Sequence, residues 1–390
     1  MTSAPSPRVL LEAAGHAPWH PAAREAFASL VDQGWADPRR LSAEGRRARL
    51  LLEAARESLA AGLGARTEEV HLTASHTQSL HAAVRGVVRG RRRTGTTVLA
   101  SAVERAAVLA AGRFTGELET VAVDAHGRVD ADAMVARLTD ERSTDQRATA
   151  RPVALAALQH ANGEVGTFQP VDQVGAAARA AGVPLLVDAG ASLGHVPGPE
   201  AWDLLAANPG DWGGPSGVGV LAVRPRVRWA PDWPEDEDEW FPGGVSVPAA
   251  FAAATALDAA LADRRESEVR RRRQVARIRA RVAAEVPDVD VVGDPEDRLP
   301  HVVTFSCLYV DGEALTSALD REGFAVASGS ACTSGSEEPS HVLAAMGALT
   351  HGNVRLALHR SVTDEDVERF CDVLPGVVAR VRDLLGAHGL

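Results

Sequence analysis

From Glu69 onward the sequence alternates short apolar runs with helix-like segments, and this alternation constrains the fold more than any other feature. Strand candidates are Val70–Thr73, Thr97–Ala100, Thr120–Val123, Val153–Leu158, Pro184–Val187 and Gly219–Val223. Between them lie amphipathic segments such as Gln78–Val88, Glu104–Arg113 and Val171–Ala181. Strand–helix–strand repetition predicts a mostly parallel sheet covered on both faces, with ligands at the carboxyl ends of its strands. Upstream, the spacing of Leu50, Leu51, Ala55, Leu59 and Leu63 predicts a helix closed by Gly64. Downstream, Ala249–Leu261 and Arg264–Val282 read as one long helix whose basic cluster, Arg270 to Arg273, forms an exposed face. Val302–Phe305, Asn353–Leu358 and a helix over Asp364–Leu385 predict a smaller α+β unit. Two polar stretches, Thr139–Arg151 and Glu235–Glu239, read as solvated connections.

The chain of 390 residues can bury a large core. Its net charge of −11 argues against a nucleic-acid surface. Three cysteines without metal-site spacing suit a reducing cytoplasm, and no apolar run is long enough to suggest a membrane span. All 41 residues in the Lys+Arg count are arginine; the chain contains no lysine.

One cysteine stands apart. Gly323 to Gly347, GFAVASGSACTSGSEEPSHVLAAMG, runs from an apolar piece into a loop of Gly, Ser, Ala and Thr centred on Cys332. A helix is expected next, with Ser336 as N-cap, Glu337 and Glu338 at its positive end, Pro339 in its first turn and Gly347 at its close. Structural cysteines usually sit in apolar surroundings, whereas Cys332 sits on a tether of small residues. Taken alone, this leaves an inert loop cysteine and a mobile thiol equally open.

The stretch SGSACTSGSEEPSHVLAAMG resembles the catalytic-cysteine loop of the cysteine desulfurases, members of the class V, fold type I aminotransferase superfamily. The resemblance extends over roughly the whole chain. It implies an α/β fold: a large domain with a mostly parallel seven-stranded sheet over residues 16–255, and a small α+β domain from residues 1–15 and 256–390. It also implies a homodimer, pyridoxal phosphate as cofactor, and a persulfide formed on the loop cysteine, here Cys332.

Several positions keep the family pattern. Thr77 in LTASHTQS falls at the phosphate-binding threonine, and Asn162 in QHANGEVG at an asparagine beside cofactor and substrate. Asp188 in LLVDAG falls at the partner of the pyridinium nitrogen, and Ser246 in GGVSVP at the hydroxyl reaching the neighbouring subunit's phosphate. Arg355 has an argument of its own. In Asn353–Leu358 a period of two puts Val354, Leu356 and Leu358 on one face and Arg355 on the other. A guanidinium there suits an amino acid carboxylate, its role in the family.

Other positions depart. Where the family has Ser-x-His-Lys, this chain reads Asn208-Pro209-Gly210-Asp211, so Asp211 stands at the Schiff-base lysine. Arg105 replaces the ring-stacking histidine and Ala191 a glutamine. A unit charge ~6 Å from the phosphate is worth ~3 kcal/mol at an effective dielectric of about 20, so exchanging Lys for Asp opposes the cofactor strongly. Arg105 offsets part of that charge but forms no imine.

Three functions stay open on these residues. The leading one is a sulfur-handling homologue that accepts or relays persulfide sulfur on Cys332, with an acceptor protein or an active desulfurase as partner and no covalently bound cofactor. The second is a working enzyme holding pyridoxal phosphate non-covalently, or another ligand. The third is a structural or carboxylate-binding subunit.

Overall fold

The computed structural model describes residues 8–139, 151–231, 233–234, 242–328 and 339–384. Cys332, Ser336, Glu337, Glu338 and the runs at 140–150 and 235–239 lie outside the described residues. In chain order the first elements are β1 (Val9–Leu10), α1 (Pro21–Leu30), α2 (Ala43–Leu63), β2 (Val70–Thr73), α3 (His76–Arg91), β3 (Thr97–Ser101), α4 (Ala106–Thr115) and β4 (Glu117–Val121). Then come α5 (Ala131–Thr139), β5 (Val153–Ala157), α6 (Val171–Ala180), β6 (Leu185–Asp188), β7 (Leu204–Ala207) and β8 (Gly219–Val223). The remainder comprises α7 (Val247–Ala262), α8 (Arg264–Glu285), β9 (Val289–Val291), β10 (Val302–Cys307), α9 (Gly312–Arg321), β11 (Phe324–Ala325), α10 (His341–Met346), β12 (Asn353–Ala357) and α11 (Asp364–Leu384).

Seven strands form one sheet in the order β2-β8-β7-β6-β5-β3-β4. Strand β8 pairs antiparallel with both β2 and β7; the other pairings are parallel. Strands β3, β5, β6, β7 and β8 are buried along their whole length, as a sheet covered on both faces requires. The expected α/β fold type I arrangement is therefore present. Asp188 is the last residue of β6, while Glu104 and Arg105 follow β3 and Gln159 follows β5, so all converge at the carboxyl edge.

A second sheet, β12-β10-β9, is antiparallel, and β1 pairs in parallel with β11. One apolar cluster unites Val9 and Leu11 with Val303, Phe305, Leu356 and Phe370. The N-terminal segment thus leaves the second core and enters the large sheet region between Glu12 and Ala17.

Differences from the sequence expectations have local causes. Strand β7, LLAA, lacks the β-branched and aromatic residues that mark strands and was not anticipated. Strand β4 starts at Glu117 rather than Thr120, because its carboxylates face arginines: Glu119 receives Arg137 at 2.9 Å. The long helix is two, broken at Asp263, whose carboxylate takes the Arg360 guanidinium at 2.5 and 2.6 Å. The helix marked by Leu50 to Leu63 starts earlier, at Ala43, where Ser42 Oγ accepts from Gly45 N at 3.2 Å. The helix before Gly347 begins at His341, capped by Ser340 Oγ at 3.2 Å from Leu343 N, so Pro339 precedes it and Ser336 is not its cap. Among the described residues no helix is long and apolar enough to cross a membrane.

Candidate functional site: a carboxyl-edge cleft filled by its own charges

Asp188 ends an all-apolar strand and is 4% exposed, so its charge must be compensated locally. Arg105 Nε donates to Oδ2 at 2.8 Å, and Gly190 N donates to Oδ1 at 2.8 Å. His76 Nε2 lies 2.9 Å from Oδ1, a close charge contact off the hydrogen-bond direction. Burial alone would raise the carboxyl, but the charges of His76 and Arg105 outweigh it and hold Asp188 well below the usual carboxylate range. The three side chains meet because His76 opens α3 and Arg105 precedes α4, two helix starts facing the end of β6. A Cβ at position 190 would come within 2.4 Å of His76 Cε1, which is why glycine follows so closely.

Asp211 is also committed. It ends a short 3-10 turn, Pro209–Asp211, and accepts from Gly15 N at 2.7 Å and from Asn208 Nδ2 at 2.8 Å. Burial pushes its carboxyl up, opposed by the Gly15 hydrogen bond and by Arg105. Its turn packs on the N-terminal segment so tightly that a Cβ at Gly210 would sit 2.0 Å from Gly15 O.

Arg355 lies on the face of β12 opposite Val354 and Leu356, as the period-two reading places it. Its Nε and Nη2 reach Glu12 Oε2 and Oε1 at 3.2 and 3.1 Å, a two-pronged ion pair. Glu12 bridges in parallel to Ala357, the residue two beyond Arg355 in the same strand. Arg105 feels the charges of Asp211 and Arg355 as well as Asp188, so these four residues share one cleft. Its side chain keeps 38% of its surface exposed, the most open charge of the group.

The remaining sequence candidates are placed differently. Asn162 is buried, and its Oδ1 accepts from Glu164 N and Val165 N at 2.8 and 2.9 Å while Nδ2 donates to Val103 O at 3.1 Å. Those bonds hold the turn after β5. Thr77 sits exposed in the first turn of α3, and Ser246 caps α7 at 3.4 Å from Ala249 N. Ala191 packs with Ala161 and Ala357 in a small apolar cluster. Cys307 and Cys371 are buried, and burial pushes both thiols up to about 11.

Sequence reasoning passed over Glu12, His76 and Glu104. Glu12 carried a weak signal, a charge directly after the apolar run Val9–Leu11, and His76 a weaker one, an imidazole at a helix start just after β2. Glu104 is fully buried beside Arg105, with Oε1 accepting from Gln159 N at 2.5 Å and Oε2 unpartnered. His341, the first residue of α10, binds the Glu104 carbonyl at 2.8 Å through Nε2. The helix after the Cys332 loop is thereby tied to the segment bearing Arg105.

Burial and the neighbouring Asp188 charge push Glu104 up to about 8. A carboxyl raised by folding adds no penalty below its unfolded value of about 4.3; the penalty grows above that and levels off beyond about 8. Glu104→Gln removes this titration. Near pH 7.5 the variant is expected to be more stable than the parent by a few kcal/mol at most, at ~1.4 kcal/mol per pH unit. The gap should close by about pH 4. Urea unfolding midpoints across this range check it, and equal midpoints throughout would contradict a buried neutral acid.

The class-V aminotransferase family model matches residues 9–370. The chain belongs to that family. Within it the relatives are cysteine desulfurases. An IscS-like cysteine desulfurase of Mycobacterium tuberculosis is 36% identical over 389 residues, covering 95% of this chain and 96% of the relative. Cysteine desulfurase IscS of Dictyoglomus turgidum is 30% identical, with 96% of each covered. Among solved structures, a NifS-like protein superposes with a TM-score of 0.85 at 23% identity, covering 96% of this chain and all of that one. DndA of Streptomyces lividans gives 0.73 at 26% identity, covering 87% of this chain and 96% of its own. This cysteine desulfurase homologue thus matches the family over residues 9–370 and these two desulfurase relatives over 95–96% of its length.

Proposed function

We propose that this cysteine desulfurase homologue carries sulfur on Cys332 and does not run the family's pyridoxal phosphate reaction alone. The observation that carries the reading is Arg105 Nε at 2.8 Å from Asp188 Oδ2, the carboxylate that the family presents to the pyridinium nitrogen. The residues present do not fit that cofactor. Both oxygens of Asp188 face the chain's own side chains, Glu12 engages the Arg355 fork, Asp211 stands at the lysine position, and the sequence has no lysine to form an imine.

The step left to the chain is sulfur transfer. The Cys332 thiolate attacks the terminal sulfur of a donor persulfide, a new S–S bond forms, and the donor's S–S bond breaks with its electron pair leaving on the donor thiolate. This exchange is redox-neutral and uses no cofactor. The donor is an active desulfurase or a small persulfide, and the product persulfide passes to an acceptor thiol. A homodimer in the cytoplasm is the setting we propose, as for the family the chain belongs to.

A second reading, non-covalent cofactor binding, draws on the exposed outer guanidinium of Arg105. Borohydride reduction after incubation with pyridoxal phosphate and cysteine separates the two. Intact mass is expected to show no adduct on any internal residue, and absorbance no bound pyridoxal band. A stoichiometric internal adduct, or a saturable band, would overturn the proposal.

A further inference from the structure

Away from this cleft, the structure holds a buried cation with no counter-charge. Arg271 of α8 is 1% exposed, so the basic cluster Arg270 to Arg273 is not the wholly exposed face expected from the sequence. Its Nε donates to Ser267 O at 3.2 Å, and its Nη1 lies 2.8 Å from His195 Nδ1 and 3.5 Å from Leu358 O. Its Nη2 has no partner. The nearby carboxylates are taken: Asp263 holds Arg360, and Glu268 holds Arg272 at 3.1 Å. An unpaired charge in such a place costs several kcal/mol, and a guanidinium stays charged even where burial and neighbouring arginines lower it to about 9.

Two more polar atoms on its flanks are orphaned. Ser267 Oγ is one helical turn before Arg271, and His301 Nδ1 belongs to the imidazole stacked on His195, with centroids 3.9 Å apart. Since Arg271 can only donate, His195 Nδ1 accepts and its proton sits on Nε2, on the side of the Asp211 carbonyl. His301 is kept neutral by burial and by Arg271, and carries one N–H. Arg271 Nη2, Ser267 Oγ and His301 Nδ1 can each offer a proton: Ser267 lies one turn before Arg271 on α8, and His301 stacks on the imidazole that Arg271 Nη1 contacts. Gln274 Oε1, the fourth orphan, is an acceptor and suits a water beside such a site.

We propose that Arg271, Ser267 and His301 form a buried site for a small monoatomic anion of the halide class, chloride in ordinary buffer. Ser267, Arg271, Gln274, His195 and His301 are all buried, which favours a single atom over an oxyanion. The anion neutralises Arg271 and so joins α8 to the start of β10, where His301 lies. Through His195 it also steadies the Asp211 main chain.

The test uses the full chain, purified in gluconate, with chloride replacing gluconate at constant ionic strength. Once chloride exceeds its dissociation constant, the folding constant is expected to rise ten-fold for each ten-fold rise in chloride. In Arg271→Met the rise should be absent. An unchanged parent, or a variant that keeps the slope, would overturn the site. If the variant does not fold, crystals of the parent grown in bromide decide the matter. An anomalous peak beside Arg271 Nη2 supports the proposal, and ordinary water density there overturns it.

Discussion

Cys332→Ser is expected to remove all sulfur that the protein accepts from a persulfide donor, whereas Cys307→Ser and Cys371→Ser leave loading within about two-fold. The nucleophile is the thiolate, and its population follows exposure and nearby charge. Cys307 ends β10 and Cys371 lies within α11, both buried with thiols pushed up to about 11. Near pH 7.5 such thiols are ionised only about once in several thousand molecules. Cys332 falls in sequence between β11 and α10, in the stretch that resembles the family's catalytic-cysteine loop. Cyanide-released sulfur and intact mass after donor treatment report the outcome. Persulfide persisting in Cys332→Ser, or limited alkylation labelling Cys307 or Cys371 first, would remove the sulfur-carrier reading and leave a structural subunit.

The second large effect concerns Asp188. Asp188→Asn keeps the shape and the bond from Gly190 N but leaves His76 and Arg105 facing a neutral amide. Removing one partner of a buried ion pair typically costs about 3–5 kcal/mol. Arg105 is partly exposed and screened, so the low end of that range is expected here. The sign with pH follows from the lowered carboxyl. Its contribution is complete above the unfolded value of about 3.9 and fades as pH falls toward the folded one. The parent–variant gap should therefore be constant from pH 8 to 5 and shrink only in acid. Denaturant unfolding measures it. A gap below about 0.5 kcal/mol would mean that Asp188 is not held by its neighbours and awaits a ligand.

Much of the architecture was legible because period and burial are local properties. The runs Val153–Leu158 and Pro184–Val187 announced buried parallel strands, and Asp188 and Arg355 stood out as charges within apolar strands. Their partners did not stand out. Glu12 meets Arg355 only because β1 pairs with β11 and the chain then crosses to Ala357, a contact spanning 343 residues. His76 reaches Asp188 only because α3 starts at the edge of the sheet where β6 ends. Asp211 read as a charge in the wrong place, yet it serves the main chain by accepting from Gly15 N. An Asp211→Lys change therefore strips two donors of their acceptor before it offers an amine to any cofactor. Periodicity cannot find pairings of this kind, because they arise from topology.

The chain's own side chains satisfy the charges of this cleft. A crystal structure of the protein incubated with excess pyridoxal phosphate and cysteine tests it most directly. Arg105 is expected still on Asp188 and Glu12 still on Arg355, with no ring between them. A pyridine nitrogen on Asp188, with Arg105 displaced and the ligand's carboxylate in place of Glu12 on Arg355, would contradict it.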